Sequence, residues 1–234
     1  MVKCPVRVLL CYRSVSQPTP SPQSAAPRLT ASHLACRRGT RLLFKDLDLD
    51  VSPGQIVWVR GQNGRGKTSL LRLAAGLATP EQGRVLCDGI GVRRAADYAQ
   101  RLVYIGHANA LKDDLTAAEA LEFLLRIHGR PSSGAKVQAA LERLGMHSRR
   151  SALVRTLSQG QRRRVALARL ALEGPESLWI LDEPFDALDV DAIERINTLL
   201  IDHVHRGGSV LLTSHLGVST AMLRPIEVDL DAYA

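Results

Sequence analysis

Apolar and polar positions along the chain follow two patterns, which predict strands and helices in alternation. Residues 43–51 (LFKDLDLDV) alternate apolar with polar side chains, which predicts a half-exposed antiparallel strand. Continuous apolar runs instead predict buried strands at 56–61, 178–183 and 209–215, with shorter strands at 85–88 and 102–105. Because buried strands that alternate with helices form sheets covered on both faces, the pattern predicts an α/β fold with a parallel-sheet core and an antiparallel β edge.

Helices are predicted where apolar residues recur with the period of a helix. A helix over 67–76 ends at its glycine, and a helix over 116–128 begins with a capping box formed by Thr116 and Glu119. Further helices are predicted over 134–145, 159–173 and 192–205. The mostly helical stretch at about 112–175 interrupts the alternation, so we expect it to form a helical subdomain.

The first 28 residues differ from the rest of the chain. They are rich in Pro and Ser and show no hydrophobic period, which predicts a disordered N-terminal extension at 1–28. The apolar patch within this segment is shorter than the core of a signal peptide. An upstream start codon is the alternative interpretation, and in either case 29–234 is the predicted folded domain.

Composition narrows the class of partner without choosing one. The formal net charge of +8 favours anionic partners, which include nucleotides, nucleic acids and acidic membranes. No run of about 18 apolar residues occurs, so a transport role would need another chain to supply the path through the membrane. The four cysteines have no metal-like spacing and are interpreted as reduced thiols: Cys4, Cys11, Cys36 and Cys87.

A glycine-rich loop lies between the predicted strand at 56–61 and the predicted helix at 67–76. It matches the phosphate-binding pattern G-x-x-x-x-G-K-[ST] in the strand–loop–helix context that this motif requires. Its glycines let backbone N–H groups point at a phosphate, Lys67 neutralises the β- and γ-phosphates, and the Thr68 hydroxyl is a candidate ligand of Mg²⁺. The predicted nucleotide-binding residues here are Gly61, Gln62, Asn63, Gly64, Arg65, Gly66, Lys67, Thr68 and Ser69.

Two adjacent carboxylates end the apolar strand at 178–183. Beside a phosphate-binding loop, Asp182 is expected to hold Mg²⁺ and Glu183 to orient or deprotonate an attacking water. Apolar runs followed by Asp-Glu are common at strand ends, so the combination with the loop is what makes this prediction specific.

The helix predicted at 159–173 offers a second candidate anion site at its start. Ser158 suits an N-cap, and Gly160 permits close approach of another backbone. The alternative interpretation is an ordinary capped helix with a basic outer face, which would include the arginines from Arg162 to Arg169.

In their order along the chain, these segments resemble the ATP-binding-cassette (ABC) ATPases over about residues 29–220. The resemblance implies a P-loop NTPase fold of ABC type that binds ATP and Mg²⁺ and works as a head-to-tail homodimer. Each nucleotide would lie between the Walker A loop of one copy, at 61–68, and the signature of the other, at 157–161, which reads LSQGQ. The signature residues carried over are Ser158, Gln159, Gly160 and Gln161, and the helical subdomain at about 112–175 would contain them.

The same resemblance implies roles for four residues near the nucleotide. Asp182 would be the Walker B aspartate, Glu183 the catalytic glutamate, Asp189 the end of the D-loop and His215 the switch histidine. Catalysis would therefore depend on Glu183, His215 and Asp182.

The chain departs from the usual ABC pattern at two positions. His107 stands where the family usually has a glutamine, before the helical subdomain. Arg38 stands where an aromatic side chain normally stacks on adenine. A guanidinium can also lie flat on a base, so Arg38 is either an adenine contact or a solvated surface charge.

The Gly-His pair at 106–107 and the segments around it resemble the corresponding segments of one group of ABC ATPases. These are the ATP-binding subunits of the haem exporters used in bacterial cytochrome c maturation. This resemblance implies a translocase subunit at the cytoplasmic face of the inner membrane that works with integral membrane subunits. The alternatives are the ABC ATPase of a soluble iron–sulfur assembly scaffold and the ATPase of another small-molecule transporter. Nucleic acid is not an expected partner, because the basic residues are dispersed without interleaved aromatic residues.

Overall fold

The computed structural model describes residues 28–95, 97–130, 133–215 and 224–233. The predicted disordered extension therefore lies outside the described residues, apart from Arg28. The strands are β1 (Leu29–Arg38), β2 (Arg41–Val51), β3 (Ile56–Arg60), β4 (Gln82–Cys87), β5 (Ile90–Gly91), β6 (Leu102–Ile105), β7 (Leu178–Leu181), β8 (Ser209–Thr213) and β9 (Ile226–Asp229). The α-helices are α1 (Lys67–Ala74), α2 (Tyr98–Arg101), α3 (Ala117–Ile127), α4 (Gly134–Arg143), α5 (Gln159–Ala168) and α6 (Val190–His205).

An antiparallel sheet, in the order β2-β1-β4-β5, forms one edge of the molecule. Its strand β2 confirms the strand predicted from the alternation at 43–51, and it pairs antiparallel with β1. Strand β1 was not recognised as an element of its own. The pairing register of β1 shifts between Ala31 and Leu34, and such an irregularity breaks the two-residue alternation that would have marked the strand.

The second sheet is parallel and follows the order β6-β7-β8-β3-β9. It confirms the predicted parallel core, and it places the carboxyl ends of β3, β7 and β8 side by side. The phosphate-binding loop, the carboxylate pair and His215 follow these three strands in turn. Strand β9 extends the sheet beyond β3 and was not predicted.

The strands of the parallel sheet contribute alternate side chains to two hydrophobic clusters. In β7, Leu178 and Ile180 pack with helix α1 and the antiparallel sheet. Trp179 and Leu181 pack on the opposite face, with the apolar residues of α3, α4, α5 and α6. Because a strand turns successive side chains to opposite faces, a fully apolar run is the pattern required of a strand covered on both sides.

Helix ends agree closely with their capping signals. Thr116 and Glu119 form the predicted capping box at the start of α3. Helix α6 begins two residues earlier than predicted because the Asp189 side chain accepts the N–H of Ala192 and caps the helix there. The helix predicted over 159–173 is α-helical only to Ala168 and continues as a 3₁₀ helix over Arg169–Leu172.

His203 of α6 is fully buried and stacks on Trp179 of β7, with ring centroids 3.7 Å apart. Its Nε2 lies 3.0 Å from the Ser177 carbonyl oxygen, to which a neutral imidazole can donate. Burial lowers the pKa of His203 to about 4. His203 is therefore a core residue, and within the described residues no cluster of side chains has the composition of a metal site.

Two of the four cysteines fall within the described residues. Cys36 and Cys87 are free and buried, in agreement with the prediction of reduced thiols. Burial raises the pKa of the Cys87 thiol to about 11, which disfavours the reactive thiolate. Cys4 and Cys11 lie outside the described residues. Among the helices that are described, none has the length and apolar character needed to span a membrane.

Candidate nucleotide-binding site

The loop between β3 and α1 is fixed by contact with the antiparallel sheet. Gly66, immediately before α1, has a φ of 103°, a conformation that residues with a side chain rarely adopt. A Cβ atom at this position would lie 3.0 Å from Leu43 Cβ and 3.2 Å from the Phe44 ring. Glycine is therefore required at 66 by the backbone conformation and by the packing of β2 against the loop.

Lys67 places its ammonium group inside the curve of the loop. Its Nζ donates to the Gly61 carbonyl at 2.7 Å, and most of its side chain is buried. A positive charge held there by the loop's own backbone is positioned to neutralise phosphate oxygens, as the motif predicts.

Asp182 directly follows β7 and is 2% exposed. Its Oδ2 accepts a hydrogen bond from Thr68 Oγ1, and its Oδ1 accepts one from Thr213 Oγ1, both at 2.9 Å. These two donors compensate the burial of the carboxylate. Carboxylate and hydroxyl oxygens are the type of ligand that Mg²⁺ prefers, so the residues present fit a magnesium ion.

Glu183 has a left-handed backbone with a φ of 47° and is held by hydrogen bonds from two directions. Its N–H donates to Thr213 Oγ1 at 3.0 Å, and its Oε2 accepts the backbone N–H of His215 at 3.0 Å. The His215 Nε2 lies 3.4 Å from Oε1 of the same carboxylate. Burial raises the pKa of Glu183, and the His215 charge opposes that rise. An oriented carboxylate with a raised pKa can accept a proton from water.

A cavity of about 360 Å³ opens over these groups. The structure brings ten of the predicted site residues together in its lining: Arg38, Asn63, Gly64, Gly66, Lys67, Thr68, Ser69, Asp182, Glu183 and His215. The remaining lining residues are Arg41 and Leu43 of β2, which sequence analysis missed. The alternation of apolar and polar positions marks β2 as a strand but carries no sign that one end of it reaches the loop.

Three predicted residues of the loop face a different part of the molecule. Gly61, Gln62 and Arg65 are absent from the lining of this cavity and lie against the C-terminal segment. The Gln62 N–H donates to Asp231 Oδ2 at 3.1 Å, and Arg65 Nε lies 2.8 Å from Asp231 Oδ1. The buried side chain of Leu230 packs beneath Gly61, where an added Cβ would lie 3.2 Å from Leu230 Cβ. The C-terminal segment thus supports the outer side of the loop.

His107 lines a neighbouring cavity of about 980 Å³. Thr68 and Asp182 line both cavities, so His107 lies in the cavity adjoining the one that Lys67 lines. The imidazole Nδ1 is 3.6 Å from Asp186 Oδ2, and the side chain is 72% exposed.

The signature residues form a self-contained helix start. Ser158 Oγ accepts the N–H of Gln161 at 3.2 Å, and Gln161 Oε1 accepts the N–H of Ser158 at 3.0 Å. A Cβ on Gly160 would lie 2.4 Å from the Ala187 carbonyl oxygen, which confirms the close backbone approach expected at this glycine. Across the described residues, the linings of the two cavities include none of Ser158–Gln161. The structure therefore does not bring the signature to the loop of its own chain.

The arginines after the signature do not all face solvent. Arg163 is 3% exposed, and Arg169 is also buried, so a basic outer face accounts for Arg162 and not for these two. Sequence analysis missed Arg163 as a residue of the site. Its guanidinium contacts the backbone carbonyl oxygens of Asp182 and Glu183. The only available signal was that consecutive arginines on a helix cannot all point the same way.

Known proteins resemble this chain in sequence and in fold. The ABC transporter family model matches residues 44–186. The chain is 47% identical to the cytochrome c biogenesis ATP-binding export protein CcmA of Methylococcus capsulatus, over 82% of this chain and 92% of that protein. It is also 47% identical to the protein of the same name from Pseudomonas syringae pv. tomato, over 84% of this chain and 90% of that protein. The chain belongs to the ABC transporter family, among the cytochrome c biogenesis ATP-binding export proteins.

The ABC fold is supported independently by a solved structure. A dimeric ATP-binding cassette in a post-hydrolysis state, bound to ADP and Pi, aligns with a TM-score of 0.68 at 24% identity. The alignment covers 80% of this chain and 88% of that chain. The predicted fold class is confirmed. As an ABC ATPase, the chain binds and hydrolyses ATP.

Proposed function

We propose that this ABC ATPase drives a haem export complex used in c-type cytochrome biogenesis. The observation that supports it best is similarity along more than four fifths of the chain to export proteins named for cytochrome c biogenesis. The folded domain at 29–234 would act as one cassette, with the stretch at about 112–175 as its signature-bearing subdomain.

Nucleotide binding is proposed to depend on the loop at 61–69. The backbone N–H groups and Lys67 hold the phosphates, while Thr68 and Asp182 hold Mg²⁺ through their oxygen atoms. When bound, the metal neutralises charge that develops on the phosphate oxygens. Arg38 lines the same cavity as Lys67, which supports an adenine contact over a purely solvated charge.

Hydrolysis is proposed to use Glu183 as the base that takes a proton from the attacking water. The backbone N–H of His215 and the Thr213 hydroxyl fix the carboxylate and the backbone of Glu183. The His215 imidazole, 3.4 Å from the carboxylate, stabilises its charged form and orients it toward the phosphate. A positioned base of this kind contributes about 10²–10⁴-fold to the rate.

The second half of the site is proposed to come from another copy of the chain in a head-to-tail homodimer. Two observations support this: within the described residues, Ser158–Gln161 are absent from the linings of the two cavities beside the loop, and the solved cassette is dimeric. In the dimer, the signature start would offer its N–H groups to the γ-phosphate of the partner's nucleotide. Asp189, which caps α6 next to Ala187 and Gly160, would fix the D-loop.

Coupling to the membrane subunits is proposed to involve His107. This residue lies beside Thr68 and Asp182 in the larger cavity, at the boundary with the helical subdomain. Its side chain is free to respond to the γ-phosphate because its contact with Asp186, at 3.6 Å, is exposed.

The partners are proposed to be integral membrane subunits that handle haem, with the ATPase bound peripherally to the cytoplasmic face of the inner membrane. The iron–sulfur scaffold and the other transporter classes are not favoured, because relatives that match this chain over 88–92% of their own length are named for cytochrome c biogenesis. No nucleic acid is required.

A deletion strain without a second copy of the gene tests this function. We expect c-type cytochromes to be lost on haem-stained gels while b-type haem proteins persist, and wild-type protein to restore them. The Lys67→Ala variant, expressed to the same level, should fail to restore them. Normal c-type cytochromes in the deletion strain would overturn the export role and leave the ATPase assignment standing.

A further inference from the structure

Arg163 joins three separate segments of the chain through one buried guanidinium group. From helix α5 it donates to the carbonyl oxygens of Asp182 and Glu183, each at 2.8 Å. It also donates to the Gly106 carbonyl at 2.8 Å and to Asn109 Oδ1 at 3.2 Å, in the loop on either side of His107. The contacts therefore connect the signature helix, the carboxylate pair and the His107 loop.

Arg163 donates its hydrogen bonds to uncharged oxygen atoms and not to a carboxylate. The atoms that it contacts are carbonyl oxygens of the backbone and of a side-chain amide. Burial lowers the pKa of Arg163, and the more distant carboxylates of Asp186, Asp182 and Glu183 oppose that change. A buried cation costs several kcal/mol unless its hydrogen bonds are satisfied. A guanidinium has the fixed fork of donors that can satisfy several carbonyls at once, and a lysine does not.

The backbone held by Arg163 is the backbone of the proposed base. Glu183 has a positive φ, and its N–H donates to the hydroxyl of Thr213, the last residue of β8. Arg163 holds the carbonyl oxygens of Asp182 and Glu183 from the α5 side. A backbone in a sparsely populated conformation persists only when its surroundings fix it, so the position of the carboxylate depends on both contacts.

The same helix carries the signature. Arg163 lies five residues after Ser158, roughly 7 Å along the helix axis. Helix α5 is continuous between them, so a shift of the helix start is transmitted to the guanidinium. Such a shift would also reach the backbone of Glu183 and the His107 loop, because the guanidinium contacts both.

We propose that Arg163 is a positioning residue that links the signature helix to Glu183 and the His107 loop, so that engagement of a partner's nucleotide aligns the base. The inference rests on the proposed roles of the signature and Glu183 and is independent of haem.

ATP hydrolysis by the purified full-length protein tests the linkage. We expect Arg163→Lys to lower kcat about tenfold to a hundredfold while the Kd for ATP changes less than twofold, because displacing a reacting group by about 1 Å can cost 10²-fold. Arg169→Lys is the matched control, since Arg169 is a second buried arginine in the segment that continues α5 and contacts His128. The control should show a comparable loss in thermal stability with kcat within twofold of wild type.

A double-mutant cycle separates positioning from general damage. If Arg163 acts through Glu183, Arg163→Lys should lower the residual rate of Glu183→Gln by less than twofold. Independent losses that multiply, or a kcat for Arg163→Lys equal to that of Arg169→Lys, would overturn the linkage. If Arg163→Lys does not fold, Arg163→Gln in the same cycle carries the test, because an amide can still donate to one carbonyl. A Glu183→Gln variant with near-normal turnover would instead refute the proposed base, and the inference with it.

Discussion

The loop at 61–69 and the helix start at 158–161 are both built to face phosphate, yet their surroundings differ. The loop is held on one side by β2 and on the other by the C-terminal segment, and its Lys67 and Thr68 are bonded within the chain. The signature start is bonded to itself through its capping box, and its outer face lines neither cavity.

This difference assigns ATP binding and ATP hydrolysis to different parts of the assembly. One chain provides a preorganised site for the phosphates and the metal. The signature start, which would complete the site, is capped by side chains of its own helix, so it can separate from the nucleotide and return without unfolding. Binding should therefore be a property of the single chain, and hydrolysis should depend on a second copy.

Removal of the Lys67 charge should disable phosphate binding by the loop at 61–69. We expect Lys67→Ala to abolish measurable ATP binding, because it removes the ammonium group that the Gly61 carbonyl holds inside the curve of the loop, opposite the phosphates. Equilibrium binding of a fluorescent ATP analogue to the purified protein measures it. The control is Lys136→Ala, an exposed lysine of α4, which should bind like wild type. Retained binding in Lys67→Ala would refute the assignment of the loop.

The Glu183→Gln substitution should leave binding intact and stop the chemistry. We expect turnover to fall about 10²–10⁴-fold, since the amide cannot accept the proton of the attacking water. The Kd for ATP should stay within about twofold of wild type. Steady-state phosphate release and equilibrium binding measure the two effects, with Glu194→Gln on the exposed face of α6 as the control. Near-normal turnover would shift the role of base to another residue, and His215 would be the first to test.

The Gly160→Ala substitution should disturb the signature start at 158–161 and leave the loop at 61–69 intact. The added Cβ would lie 2.4 Å from the Ala187 carbonyl, so the helix start and the D-loop must move apart. We expect turnover to fall about tenfold, with ATP binding to the single chain unchanged. Gly134→Ala is the matched control, because no atom lies within 4 Å of its Cβ position at the start of α4. Equal turnover in both variants would contradict a role for the signature geometry.

The Asp231→Ala substitution should weaken the loop from its outer side. It removes the acceptor for the Gln62 N–H and the partner of Arg65, together worth about 1 kcal/mol, or about a fivefold increase in the Kd for ATP. The kcat should be unchanged. Glu227→Ala breaks the exposed ion pair with Arg60 on the same segment and should leave both quantities unaltered. A lower kcat with unchanged Kd would argue against support of the loop.

Sequence alone predicted the parts whose chemistry is local. The loop at 61–69, the carboxylates at 182–183, the capping box at Thr116 and the N-cap at Ser158 each occupy a few consecutive residues, so spacing reveals them. The parallel sheet followed from continuous apolar strands because both faces of the sheet are covered.

The missed features depend on contacts between distant segments. Arg41, Arg163 and Asp231 are ordinary charged residues in sequence, and only the folded chain shows that each reaches the site. Strand β9 was missed because its alternation of apolar and polar residues lasts only four positions at the edge of a sheet, where most of them are exposed, and so short a run is a weak signal. Sequence analysis identified Arg38 and His107 as departures from the usual family pattern. Only the structure shows which cavity each side chain lines.

The stacked pair of His203 and Trp179 makes folding sensitive to acid. The fold favours the neutral imidazole, so the unfolded chain takes up a proton as pH falls through 6.5 while the folded chain resists until about pH 4. The contribution to the free energy of unfolding is therefore complete above pH 6.5 and decreases below it, by roughly 2 kcal/mol at pH 5. Urea unfolding of wild type and His203→Phe at pH 7 and pH 5 measures this loss, and equal pH dependence in the two proteins would contradict it. Proton uptake by one core histidine, behind the strand that carries Asp182, thus ties the integrity of the ATPase to the acidity around it.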